Sequence, residues 1–139
     1  MIVERATEDD LQYLFEIDSE TFRDRHDFIT AYLRERKIII ARDGAIRTGY
    51  ALVDQTFFDR YFIRALSIHP DHDDMAVAAA LVGYIEKTCP EDRIFTACRS
   101  SDTTAQACYE NLGFARSGII ENIDDTDETE LIYCKKLDR

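Results

Sequence analysis

A mixed α/β fold is predicted by three features of the chain. Seven short segments are apolar or alternating in the manner of strands, and four others carry apolar residues at helical spacing. No repeat, low-complexity tract or linker rich in Pro, Gly or Ser interrupts them. At 139 residues, with 45% hydrophobic side chains, the chain is long enough for one core and too short for two, so residues 1–139 are expected to form a single domain.

Ile2, Val3 and Arg5 open a short strand. Thr7 is placed to cap a helix through its hydroxyl, Asp9 and Asp10 suit the positive end of its dipole, and Leu11, Leu14, Phe15 and Phe22 keep roughly helical spacing. A second helix is expected from Asp27 to Arg34. In KIIIARDGAIRTGYALVDQ the apolar run Ile38 to Ala41 breaks at Asp43-Gly44 and then resumes, the sign of a β-hairpin. RYFIRALSI, residues 60–68, gives a further strand that ends before Pro70.

Beyond the corner HPDHDD, residues Ala78, Leu81, Val82, Ile85 and Cys89 recur at i, i+3, i+4, i+7 and i+11, one stripe of an amphipathic helix. Arg93 to Cys98 reads as a strand. Ala105, Cys108, Tyr109 and Leu112 repeat the helical spacing, and Gly113 stands where a left-handed carboxy-terminal cap needs a residue without a Cβ. Two final strands, near Phe114 to Asn122 and Thr129 to Leu137, flank the acidic turn DDTDE. The order is β-α-α-β-β-β-α-β-α-β-β, a mixed sheet of about seven strands with about four helices on its faces.

Charge and composition narrow the partners. The 28 acids against 17 bases give a formal charge of -11, whose long-range field opposes nucleic acid and anionic membranes and favours cationic small molecules, although an acidic surface also suits a salt-rich habitat. No run of about 18 apolar residues appears, and MIVERATEDD is charged too early for a secretory signal, so a cytoplasmic protein without a membrane span is expected. Cys89, Cys98, Cys108 and Cys134 form no CxxC pair and lie in apolar elements, as buried free thiols do. His69 and His72, flanked by acids, have no partner cluster with ligand spacing, and no metal is expected. Asp124, Asp125, Asp127 and Glu128 lack the spacing and mid-loop glycine of a calcium loop and read as a solvated hairpin turn. No GxSxG nucleophile is present.

The element order, together with IVERATEDD, GYALV, LSIHPDH and CYENLGF, resembles the GNAT family of acyl-CoA-dependent N-acyltransferases over essentially the whole chain. The most specific string is CYENLGF, a tyrosine four residues before Gly-Phe at a helix end. The resemblance implies that two adjacent central strands, Phe62 to Ile68 and Arg93 to Cys98, splay to admit acetyl-CoA as cosubstrate. It implies that the backbone of Leu66, Ser67 and Ile68 meets the pantetheine arm and that Tyr109 is the general acid beside the leaving thiolate. The diphosphate would rest on the opening turn of the following helix, Asp74, Met75, Ala76, Val77 and Ala78, where unpaired N–H groups and a partial positive charge face an anion. Family members often pair, which makes a homodimer one expected assembly.

Two slots depart from the family. Its diphosphate corner reads Gln or Arg, any two residues, Gly, any residue, then Gly or Ala; aligned from Pro70, this chain has Asp73, Asp74, Met75, Ala76, Val77 and Ala78, of which only Ala78 conforms. A carboxylate about 5 Å from a phosphate charge costs about 1 to 3 kcal/mol, and Asp73 and Asp74 are also candidates to cap the helix themselves. Four residues before Ile68, where many members carry a glutamate base, stands Arg64, which stays protonated and suits an acidic substrate group instead. Arg99, with Ser100 and Ser101, lies at the strand end where the resemblance puts the nucleotide, and is a candidate anion contact. The leading expectation is transfer of an acetyl group from acetyl-CoA to a primary amine of a small molecule or peptide, with water taking the amine's proton. The competing one is a GNAT-fold ligand-binding or regulatory module with weak or no CoA binding.

Overall fold

The structure, a computed structural model, describes residues 1–21, 25–72 and 74–138, with 18–21 and 74 described by backbone alone. Its elements are β1 (Ile2–Arg5), a 3-10 turn (Glu8–Asp10), α1 (Leu11–Thr21), α2 (His26–Arg34), β2 (Ile38–Asp43), β3 (Ile46–Phe57), β4 (Arg60–Ile68), α3 (Asp74–Thr88), β5 (Arg93–Arg99), α4 (Thr103–Asn111), β6 (Ala115–Ile120) and β7 (Glu130–Lys136). They follow the order expected from sequence, with the 3-10 turn added. The strands form a seven-stranded mixed sheet in the order β1-β2-β3-β4-β5-β7-β6. The chain divides into two compact units, Met1–Val53 with Ala65–Leu81 and Asp54–Arg64 with Val82–Arg139.

In the first unit, β1 pairs antiparallel with β2, and β2 with β3 from Ile38↔Leu52 to Asp43↔Ile46, with a register shift at Ala41/Arg42. The hairpin turns at Gly44 in the left-handed region (φ 60°), as the Asp43-Gly44 break predicts. Leu14 of α1 and Ile29 of α2 pack on Ile38, Ile40, Tyr50 and Leu52, all six at most 1% exposed. Burying each such side chain contributes about 1.5–3 kcal/mol. Leu11 and Phe15 pack on this cluster only partly buried, so the apolar stripe of α1 is narrower than its spacing suggests, and Phe22 lies outside the described residues. Thr7 and Asp10 form a capping box at the 3-10 turn, with Thr7 N–H donating to the Asp10 carboxylate at 2.8 Å.

Gly49 of β3 is where two strands and a helix crowd together. A Cβ there would lie 2.8 Å from the Ser67 carbonyl oxygen, 3.0 Å from Val77 Cγ1 and 3.2 Å from Ile68 Cδ1. Only a residue without a side chain lets the end of β4 and the start of α3 close on the strand.

In the second unit, β4 and β5 run parallel, pairing Phe62↔Phe95 and Ile63↔Thr96. β7 inserts antiparallel between β5 and β6, from Arg93↔Lys136 to Arg99↔Glu130 on one side and with a register shift at Arg116/Gly118 on the other. The predicted stripe of α3 is buried throughout: Ala78, Leu81, Val82, Ile85 and Cys89 are each at most 4% exposed. Asp102 caps α4 by accepting from Ala105 N–H at 3.0 Å. Gly113 ends that helix at φ 94°, and Lys135 Nζ donates to the Leu112 carbonyl at 2.7 Å, closing the helix end with a cation. The turn between β3 and β4 is unusual, because Phe58 (φ 52°) and Asp59 (φ 61°) both take left-handed geometry without being glycine, and Phe58 is 83% exposed. All four cysteines are free, but only Cys89 and Cys98 are buried; Cys108 and Cys134 are half-buried, less enclosed than expected.

Candidate active site

Tyr109 lies on the inner face of α4, 6% exposed, with Phe114 and Tyr133 around its ring at centroid distances of 5.6 and 5.9 Å. Its phenol is hydrogen-bonded to the Thr96 side chain. The Thr96 hydroxyl in turn donates to the Ile63 carbonyl at 2.9 Å, where β4 and β5 run side by side. Thr96 thus links the Tyr109 phenol to the main chain of β4. Burial pushes the Tyr109 phenol up to about 12, with the Thr96 hydrogen bond opposing in part, so the group is protonated throughout the neutral range. A phenol held that way is a hydrogen-bond donor and never a base at neutral pH. Thr96, fully buried, escaped the reading of the sequence; a lone threonine among apolar strand residues is the one signal that marks it.

Arg64 meets a residue that sequence spacing also missed. Asp54, near the end of β3 and 3% exposed, sets its Oδ2 3.8 Å from Arg64 Nη1 while its Oδ1 accepts from Thr56 N–H at 3.0 Å and Thr56 Oγ1 at 2.8 Å. A buried carboxylate therefore stands beside the arginine that occupies the expected base slot. It is shut away from solvent and bound by Thr56, which suits anchoring the turn rather than removing a proton from a ligand.

Leu66, Ser67 and Ile68 form the end of β4, each half-buried, and the chain then turns with His69 N–H donating to the Thr48 carbonyl at 2.8 Å. The opening turn of α3 begins at Asp74; Met75 and Ala76 are exposed, whereas Val77 and Ala78 are buried. Small residues at the amino end of a 15-residue helix are compatible with an approaching diphosphate. Asp73 and its expected cap lie outside the described residues, as does the side chain of Asp74.

Arg99 is already engaged. Its guanidinium reaches Asp124 at 2.7 Å, Glu130 at 3.3 Å and Glu128 at 3.8 Å. A phosphate arriving there competes with three carboxylates. The acidic turn is exposed to solvent, as expected, and is also tied to the end of β5: Ser101 N–H donates to Glu128 and Thr129 N–H to Ser100 Oγ, and bonds from Thr126 first, then from Arg99, hold the Asp124 carboxyl down at about 2.

A sequence profile of the acetyltransferase (GNAT) family matches residues 3–114. Among solved structures, a GNAT-family acetyltransferase from Bacillus cereus is 28% identical with a TM-score of 0.90, covering 99% of this chain and 98% of its own. The yncA protein of Salmonella typhimurium, solved with acetyl-CoA, is 16% identical with a TM-score of 0.81 over 99% of this chain and 94% of its own. A ribosomal-protein-alanine N-acetyltransferase from Brucella melitensis is 14% identical with a TM-score of 0.80 over 99% and 100%. No curated protein matches the chain in sequence. Among the described residues, no helix is long and apolar enough to cross a membrane.

Proposed function

Because the chain belongs to the acetyltransferase (GNAT) family, we propose that it transfers an acetyl group from acetyl-CoA to a primary amine. The observation that carries this reading is Tyr109: a buried, protonated phenol fixed by Thr96 against a strand that pairs in parallel with its neighbour. Acetyl-CoA supplies the activated acyl thioester. Tyr109 donates a hydrogen bond toward the sulfur as negative charge gathers there. With the phenol near 12 and an ordinary thiol near about 8.5, outright proton transfer runs uphill, so the main contribution is stabilisation of charge, with the proton following as the thiol leaves.

The main chain of Leu66, Ser67 and Ile68 holds the pantetheine, and the opening turn of α3, Asp74 to Ala78, faces the diphosphate. Arg99 is a further anion contact of this proposal, in competition with Asp124, Glu130 and Glu128. Proximity supplies much of the rate, and water takes the amine's proton because Arg64 cannot and Asp54 is enclosed. An amine is the acceptor class also for the Brucella melitensis protein, whose named substrate is a ribosomal-protein alanine.

The engaged state of Arg99 favours a second reading, a binding module without transfer chemistry. Melting curves separate the two. Acetyl-CoA at a hundred times its dissociation constant is expected to add about 2.7 kcal/mol, read as a higher melting temperature. An unchanged melting temperature at millimolar acetyl-CoA would overturn the transferase.

A further inference from the structure

Thr96 stands among the apolar residues of β5, between Phe95 and Ala97, and is fully buried. A buried hydroxyl costs free energy unless it is bonded, so its bonds say what it is kept for. It donates to the Ile63 carbonyl at 2.9 Å, at the residue with which Thr96 is in register across β4 and β5, and it meets the Tyr109 phenol. Valine has nearly the same shape and at least as high a strand preference, so strand formation gives no reason for the hydroxyl.

The neighbouring phenol does not take over this task. Tyr133 lies opposite Thr96 on β7, is fully buried, and its ring centroid is 5.9 Å from that of Tyr109. Its hydroxyl nevertheless has no hydrogen-bond partner among the described residues, so it is not bonded to Tyr109. Phe114, at a centroid distance of 5.6 Å, has no polar atom to offer. The two rings restrain the Tyr109 ring by packing, whereas the placing of its oxygen falls to the bond with Thr96.

We propose that Thr96 is a positioning residue, tethering the Tyr109 oxygen to the main chain of β4 and so setting where the phenol stands as the thiolate leaves. The catalytic consequence rests on the transferase reading; the tether itself does not. Without it acetyl-CoA still binds, but the transition state loses an aligned donor, so the effect falls on kcat and not on KM.

Two measurements on the full chain test the role. In protein labelled with carbon-13 at the tyrosine Cζ, the Tyr109 signal is the one of seven that Tyr109→Phe removes. Thr96→Val should shift that signal, and Thr96→Ser, which keeps the hydroxyl, should restore it. In steady-state kinetics with acetyl-CoA and a peptide beginning with alanine, Thr96→Val should lower kcat about tenfold at constant KM, the scale of one lost hydrogen bond, and Thr96→Ser should stay within about twofold of the parent. In the Tyr109→Phe background Thr96→Val should cost nothing further, since a tether with nothing to hold has no effect. Thr48→Val, at a second fully buried threonine whose hydroxyl has no partner among the described residues, should leave kcat unchanged.

An unmoved Tyr109 signal, equal losses for Val and Ser at position 96, or a further fall in the Tyr109→Phe background would each overturn the proposal. Should Thr96→Val not fold, Thr96→Cys, with similar bulk and only a weak donor, takes its place under the same expectations. With no turnover on this peptide the carbon-13 signal decides alone. If acetyl-CoA fails to raise the melting temperature while the signal still moves and Ser restores it, the tether stands and the transferase falls. If the parent is active and Thr96→Val is as fast, this inference falls and the transferase stands.

Discussion

Replacing Tyr109 by Phe should lower turnover with acetyl-CoA about a hundredfold while leaving the cofactor-induced rise in melting temperature in place. The substitution removes one oxygen from a ring packed between Phe114 and Tyr133, so the cavity change is small. It also removes the hydroxyl that Thr96 meets, though Thr96 keeps its own bond to Ile63, and the stability cost is about 1 kcal/mol. Steady-state kinetics decides the matter: a fall in kcat at constant KM supports donation to the leaving sulfur, whereas full activity would remove Tyr109 from the chemistry. The alkaline limb offers a second reading of the same group. The phenol is raised from 10 to about 12 by burial, so its contribution to stability is complete below about pH 10 and is lost as pH climbs from there toward 12.

Gly49→Ala should destabilise the protein by about 1–3 kcal/mol, an overpacking cost at a site with no room to yield. The nearest atom to the new methyl is a main-chain oxygen, that of Ser67 at 2.8 Å, so relief requires moving β4 rather than turning a side chain. The displaced residues are those proposed to hold pantetheine, and acetyl-CoA affinity should fall with stability. Urea denaturation checks the first effect. Gly83 of α3 is the contrast: nothing lies within 4 Å of its added Cβ, and Gly83→Ala should stabilise by about 0.5–1 kcal/mol through helix propensity alone. Equal losses at the two positions would refute the steric argument.

Local signals carried the elements well. The stripe from Ala78 to Cys89 and the capping glycine Gly113 depend only on neighbours in the chain, so periodicity and left-handed geometry reveal them. What escaped is brought together by folding. Arg99 and the acids of the 124–130 segment are far apart in sequence and meet because β5 pairs with β7 down to Arg99↔Glu130. Asp54 and Arg64 face one another only once the chain reverses between β3 and β4. A cavity lined by Tyr13, Arg47 and Asp71 among others draws on three separate segments, none of which looks unusual alone. Gly49 was partly visible, since a glycine inside the apolar run GYALV suggests a close approach, but the atoms it admits belong to other elements.

The left-handed pair Phe58 and Asp59 amounts to a reserve the chain leaves unclaimed. Each side chain there sits in a conformation that asparagine or glycine adopts more easily, at a penalty of about 1 kcal/mol per residue. Exchanging the pair for Asn-Gly should raise the urea midpoint while leaving Tyr109 in place, and gives an engineer a place to harden the protein or graft a loop.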